Sequence, residues 1–136
     1  MLQELPQLKN IYSFKMIVID TSALIRFFTK DIPGDAEKVK NLIEQGEELK
    51  IPDVVFPEIE YVLLSKTYNA SREKILKAFK FLILRKNIIV SKEVKRAILL
   101  YEKTGLDIAD CIIVASAKGE NLFSFDKKLI ATSKNQ

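Results

Sequence analysis

The sequence predicts an α/β domain built on a parallel sheet of about four strands. Two observations predict it. Short strand-like apolar runs recur at 16–19, 49–52, 87–90 and 122–125. Between them lie longer segments with apolar residues at helical spacing, and strands that alternate with helices join as parallel neighbours through crossovers.

Residues 1–15 carry no clean period and read as an N-terminal extension, so the domain is assigned to 16–136. Met16 is itself a candidate natural start. The run Met16-Ile17-Val18-Ile19 then reads as a buried strand that delivers Asp20 at its carboxyl end. Ser22–Lys30 reads as a helix with Leu24, Ile25, Phe27 and Phe28 on its apolar face, followed by a Pro33-Gly34 turn. Asp35–Gln45 is a second helix with Val39, Leu42 and Ile43 inside, closed by Gly46. Leu49–Pro52 is a short strand. Val54–Tyr68 is helical, with Pro57 tolerated in its first turn. Ser71 caps a helix that runs through Leu84. Asn87–Val90 is a strand, and Lys92–Thr104 is a helix that Gly105 stops. Asp107–Lys118 is a helix that Gly119 stops. Leu122–Phe125 is the last strand, and Asp126 opens a short terminal helix.

A chain of 136 residues fits one domain able to bury its own core. One cysteine, Cys111, excludes an intrachain disulfide, and no run has the roughly 18 apolar residues of a membrane span. With no signal-peptide pattern, the expected compartment is the cytoplasm. The net charge of +4 is a weak pointer to a polyanionic partner, since lysine-rich surfaces also serve solubility. The absence of histidine is the most restrictive fact. It removes Ser-His-Asp triads, Cys-His pairs, His-ligated zinc and the imidazole chemistry of metal-independent ribonucleases. Any hydrolysis here would have to rely on carboxylates, lysines or a bound cation.

The carboxylates fall at informative places. Asp20 follows Ile17-Val18-Ile19, and Asp126 follows Phe123-Ser124-Phe125, so both are expected where a buried strand leaves the sheet. Glu58 lies in the opening turn of a helix. Asp107 and Asp110 stand three apart at the start of another and share a face. If these acids converge, like charges in a small volume raise their pKa values or recruit a cation. An oxygen-only donor set points to Mg²⁺ or Mn²⁺. Each acid also has an ordinary structural role, as an N-cap or as a favourable charge at a helix N-terminus. Asp20 is the hardest to explain that way, because capping does not need an acid straight after a buried strand.

Four stretches, in this order, resemble the PIN-domain ribonucleases and, within them, the VapC-type toxins. They are Val18-Ile19-Asp20-Thr21-Ser22-Ala23-Leu24; Pro52-Asp53-Val54-Val55 running into Pro57-Glu58-Ile59; Gly105-Leu106-Asp107-Ile108-Ala109-Asp110; and Phe123-Ser124-Phe125-Asp126-Lys127-Lys128-Leu129. The resemblance implies a three-layer α/β/α fold with a central parallel sheet and Mg²⁺- or Mn²⁺-dependent cleavage of RNA. It assigns Asp20, Glu58, Asp110 and Asp126 as catalytic metal ligands, with Asp107 as an additional acid. It further implies a homodimer and, for a toxin, an antitoxin protein that blocks the acidic cleft.

Around this set, Thr21, Ser22 and Ser124 are candidate supports for the carboxylates or their waters, with turn and cap chemistry as the alternative. Arg26, Lys30, Lys127 and Lys128 are candidate contacts to RNA phosphates, with a solvated face as the alternative. Tyr61 and Tyr68, seven apart on one expected helix, either stack on bases or pack. Cys111 reads as a buried apolar residue. A haloacid-dehalogenase-type enzyme is disfavoured because Ser22 stands where its second acid belongs. A receiver domain is disfavoured because Asp20 has no paired acid at the strand end. A housekeeping RNA-processing nuclease and a non-catalytic RNA-binding or scaffold protein of the same fold remain alternatives to the toxin.

Overall fold

The run after Met16 forms the edge strand of a short parallel sheet. In the computed structural model, which describes residues 16–136, β1 (Ile17–Val18) pairs in parallel with β2 (Leu49–Lys50). The strand β2 pairs in parallel with β3 (Ile88–Ile89), giving the order β1-β2-β3. The register sets Ile17 against Leu49, and Leu49 against Ile88. The ladder continues one residue further, with the Ile19 amide donating to Lys50 O at 2.9 Å and the Ile51 amide to Ile89 O at 3.0 Å. Asp20 is thus held at the last bonded point of β1. The extension over 1–15, with the question of Met16 as a start, lies outside the described residues.

Seven helices surround this sheet among the described residues: α1 (Thr21–Thr29), α2 (Pro33–Glu44), α3 (Val55–Leu64), α4 (Arg72–Leu84), α5 (Lys92–Lys103), α6 (Ile108–Ser116) and α7 (Lys127–Lys134). Five of them start on a side-chain cap, which satisfies an otherwise orphaned amide. Asp20, Ser71, Ser91, Asp107 and Asp126 accept from the amides of Ala23, Lys74, Val94, Asp110 and Leu129. The α/β class with a parallel sheet is therefore as the sequence predicts.

Leu49, Ile51, Ile88 and Val90 turn into a core shared with α3, α4, α5 and α6. At its centre Phe56, Phe79 and Tyr101 form an aromatic row with centroids 5.5 Å apart at each step. All three are buried, and truncating such a ring costs about 3–5 kcal/mol. The helix α1 packs on α2 and α3, α3 packs on α6, and α6 packs on α5 and α7.

The structure departs from the sequence reading at four places. The strand β1 is not wholly buried, because Val18 and its β2 neighbour Lys50 face outwards and are exposed. The Pro33-Gly34 turn is the first turn of α2, where a missing amide hydrogen is harmless. The helix α3 ends at Leu64 rather than Tyr68. Ser65 there takes an extended conformation and donates its hydroxyl to Val62 O at 2.6 Å.

Leu122–Phe125 is not a strand, so the described sheet has three strands where about four are expected. Phe123 and Phe125 are exposed instead of buried. The physical reason is local. Ser124 Oγ accepts the Asp126 amide at 3.0 Å, which bends the chain into the α7 cap and competes with ladder bonding.

Candidate active site

Asp20 is the N-cap of α1 at the exit of β1. Its Oδ1 accepts from Ser22 Oγ at 2.8 Å and from the Ala23 amide at 3.1 Å. These bonds, the Ala23 amide first and the Ser22 hydroxyl next, hold the Asp20 carboxyl below the usual carboxylate range. Capping engages Oδ1 and leaves Oδ2 for another partner. Thr21, the next residue, donates its hydroxyl to Glu58 Oε1. Glu58 stands in the first turn of α3. One strand exit and one helix start are thereby fastened together through side chains 37 positions apart.

Asp20, Thr21, Ser22 and Glu58 line a cleft of about 760 Å³, together with Arg26, Tyr61 and Tyr68 among others. Tyr61 is 80% exposed. Tyr68 reaches the same cleft from beyond α3, so the two tyrosines share a site without sharing a helix. Arg26 is anchored by Nη1 to Asp31 at 2.9 Å and by Nε to Asp35 at 3.6 Å. Tyr68 also donates to Asp31, at 2.7 Å, and this bond lowers the Asp31 pKa and raises that of Tyr68. The guanidinium therefore faces the cleft with part of its charge already matched. Lys30 is elsewhere, in a groove floored by Phe27, Phe28 and Phe81.

The remaining acids form a second group at the starts of α6 and α7. Asp107 Oδ1 caps α6 through the Asp110 amide at 2.8 Å, and Asp126 Oδ1 caps α7 through the Leu129 amide at 3.1 Å. The Asp110 carboxyl is pushed above its ordinary value, first by burial and then by the charges of Asp107 and Asp126. Asp110 thus lies within the field of both capping acids. Lys128 Nζ lies over Gly105, 3.7 Å from where a Cβ would stand, on the loop that leads to Asp107. Lys127 opens α7 directly after Asp126. Ser124 serves Asp126 by accepting its amide rather than by the strand alternation expected of it.

A buried residue links the two acidic groups. Glu60, two residues after Glu58 on α3, is 8% exposed, and its Oε1 accepts the Ile108 amide at the start of α6, at 3.4 Å. Beneath the same loop, Arg72 Nη2 donates to the carbonyls of Tyr101, Thr104 and Leu106 at 2.8, 3.1 and 2.6 Å. Its guanidinium lies 3.6 Å from the centroid of the Tyr101 ring. Burial, then the hydrogen bond and charge of Glu60, raise the Tyr101 pKa. Sequence reasoning missed Glu60 and Arg72. Their partners lie some 30 to 50 positions away, and the available hint was a second acid two residues from Glu58. Cys111 is buried as expected, and burial pushes its thiol up to about 11, which keeps it an inert apolar residue.

Among the described residues, no three acidic side chains stand close enough to hold one ion between them. The donor chemistry nonetheless fits a hard divalent cation. Every side chain of the set offers carboxylate oxygen, and capping through Oδ1 leaves a second oxygen on Asp20, Asp107 and Asp126. Mg²⁺ commonly keeps several waters and takes only one or two protein carboxylates, so it does not need a closed cage.

Comparison with known proteins bears on this arrangement. The family model described as PIN domain matches residues 17–135, nearly the whole described chain. Comparisons with curated proteins and with solved structures return no match.

Proposed function

Because the chain belongs to the PIN-domain family, whose fold is of the nuclease type, we propose that it is an Mg²⁺- or Mn²⁺-dependent endoribonuclease of the VapC-type toxin subgroup. The observation that carries this reading is the Thr21–Glu58 hydrogen bond beside Asp20, which brings a strand-exit acid and a helix acid into one open cleft. The reaction is hydrolysis of an RNA phosphodiester, with water as nucleophile and no covalent enzyme intermediate.

Asp20, Glu58, Asp110 and Asp126 would hold the ion or ions, with Asp107 in support. When bound, the cation lowers the pKa of a ligand water and neutralises charge on the phosphate. The chain's own residues prepare that site. Ser22 and the Ala23 amide fix the Asp20 carboxylate and keep it ionised. Thr21 orients Glu58. Burial first, and then the charges of Asp107 and Asp126, raise the Asp110 pKa, and a cation would relieve that repulsion. Arg26 on the cleft wall, with Lys127 and Lys128 beside Asp126, would receive RNA phosphates.

As a toxin the protein would act as a homodimer, held inactive by an antitoxin protein seated over the acidic cleft. A housekeeping RNA-processing nuclease would use the same site without that inhibitor. An adjoining small gene whose product binds the chain and blocks cleavage separates the two. A scaffold protein has no use for a full set of acids at the starts of α1, α3, α6 and α7, which argues against a non-catalytic role.

The test is incubation of structured and single-stranded RNA with wild-type protein and Asp20→Asn, in Mg²⁺, Mn²⁺ or EDTA. Metal-dependent cleavage lost in the variant is the expected result. Absence of cleavage together with absence of metal binding would overturn the reading.

A further inference from the structure

Phe123 and Phe125 present a surface that packing does not explain. They are 88% and 93% exposed, the most open of the large apolar side chains described. Their rings touch only edge to face, with centroids 5.6 Å apart and planes at 82°. Such a pair covers one of its four ring faces and leaves the others available. A packed core position would bury each ring, a gain worth keeping in any fold.

Three features around the pair indicate its occupant. Ser124, between the rings, binds the Asp126 amide and so fixes the turn that displays them. Asp126, a candidate catalytic acid, follows Phe125 directly. Lys127 and Lys128 come next, in the first turn of α7, so two cations stand within a few residues of the exposed rings along the chain. Aromatic faces flanked by cations match nucleotides, whose bases stack while their phosphates pair with lysine.

We propose that Phe123 and Phe125 form a stacking platform that holds an unpaired base of the RNA beside Asp126. This rests on the ribonuclease reading and adds a recognition surface to it. A base within a duplex is covered on both faces by its neighbours, so the platform selects single-stranded segments. It contributes to binding and position, while the carboxylates carry the chemistry.

The experiment measures binding apart from cleavage. A fluorescently labelled, unstructured RNA oligonucleotide and the same strand in a duplex are titrated with full-length protein in EDTA, and anisotropy is read. Three proteins are compared: wild type, Phe123→Leu/Phe125→Leu, which keeps apolar bulk, and Phe123→Tyr/Phe125→Tyr, which keeps the rings. The platform predicts tighter wild-type binding to the single strand. It predicts a loss of about tenfold or more in the leucine variant for that strand, with duplex binding unchanged and the tyrosine variant near wild type. Equal binding by the leucine variant, or equal loss on both RNAs, overturns the platform alone. Failure of wild type to bind either RNA overturns the platform, while the metal-dependent cleavage assay tests the ribonuclease reading separately. Sedimentation in parallel gives the third outcome: a wild-type dimer that the leucine variant dissociates would make the pair an interface between copies and overturn the proposal.

Discussion

Glu60 Oε1 accepts the backbone amide of Ile108 across 48 positions of sequence, joining the helix that carries Glu58 to the first residue of the helix that carries Asp110. Both ends are buried, so neither group has water as a substitute. This contact ties together, within the packing of α3 on α6, the helices that carry the two acidic groups.

Glu60→Gln keeps an acceptor for that amide, whereas Glu60→Leu leaves it orphaned. Leucine is expected to destabilise the fold by about 1–3 kcal/mol relative to glutamine, read from chemical unfolding midpoints. Cleavage by the glutamine variant is expected to stay within a few-fold of wild type.

Arg72 holds the carbonyls of Tyr101 in α5 and of Thr104 and Leu106 in the loop before α6, and it stacks on Tyr101. Arg72→Lys retains charge but lacks the planar fork and the stacking face, so it should recover little of what Arg72→Ala loses. A loss above about 2 kcal/mol is expected for alanine, measured by urea unfolding.

Thr21→Val removes the hydroxyl that holds Glu58 while preserving side-chain shape. Stability should change by about 1 kcal/mol or less, since the contact is exposed. Metal affinity or cleavage rate should fall about 10- to 100-fold, as when a partner behind a metal ligand is lost. Calorimetry and single-turnover cleavage separate the two effects.

Asp20 and Asp110 carry opposite pH signatures. The folded pKa of Asp20 is lowered from 3.8, so its contribution is complete above that value and lost as pH falls through the folded one. The folded pKa of Asp110 is raised from 3.8, so ionisation costs stability at neutral pH, and the cost disappears as pH falls through the carboxylate range. Asp20→Asn should therefore lower the melting temperature at pH 7 in metal-free buffer, and Asp110→Asn should raise it. Asparagine still caps a helix, which isolates the charge at Asp20. Both differences should shrink towards acid pH.

The parts of this fold legible in the sequence are those that local chemistry dictates. Ser71, Asp107 and Asp126 mark helix starts because their short side chains take up orphaned amides, and the structure uses each in that way; Asp20, set apart from capping in the sequence, caps α1 as well. The apolar spacing in 22–30 and 72–84 likewise follows from a single buried face. What failed depended on partners. Phe123-Ser124-Phe125 has strand-like alternation, but a strand needs a neighbour, and the Ser124 hydroxyl diverts the chain into a cap. Tyr68 had the spacing to share a helix with Tyr61, and an extended Ser65 breaks the chain between them. Glu60 and Arg72 were missed because their contacts lie 29 to 48 positions away. For the candidate site, the order and setting of the acids were readable. Their division between a cleft at Asp20 and Glu58 and a second group at Asp107, Asp110 and Asp126 was not, since it depends on how α3 packs against α6.

The central claim is that these two acidic groups serve one metal-binding active site. Calorimetric titration of Mn²⁺ into wild type, Asp20→Asn and Asp126→Asn tests it most directly, because each variant alters one group only. The account predicts binding by wild type and a loss of about tenfold or more in both variants. Wild-type affinity in either variant, or no binding by the wild-type protein, would contradict it.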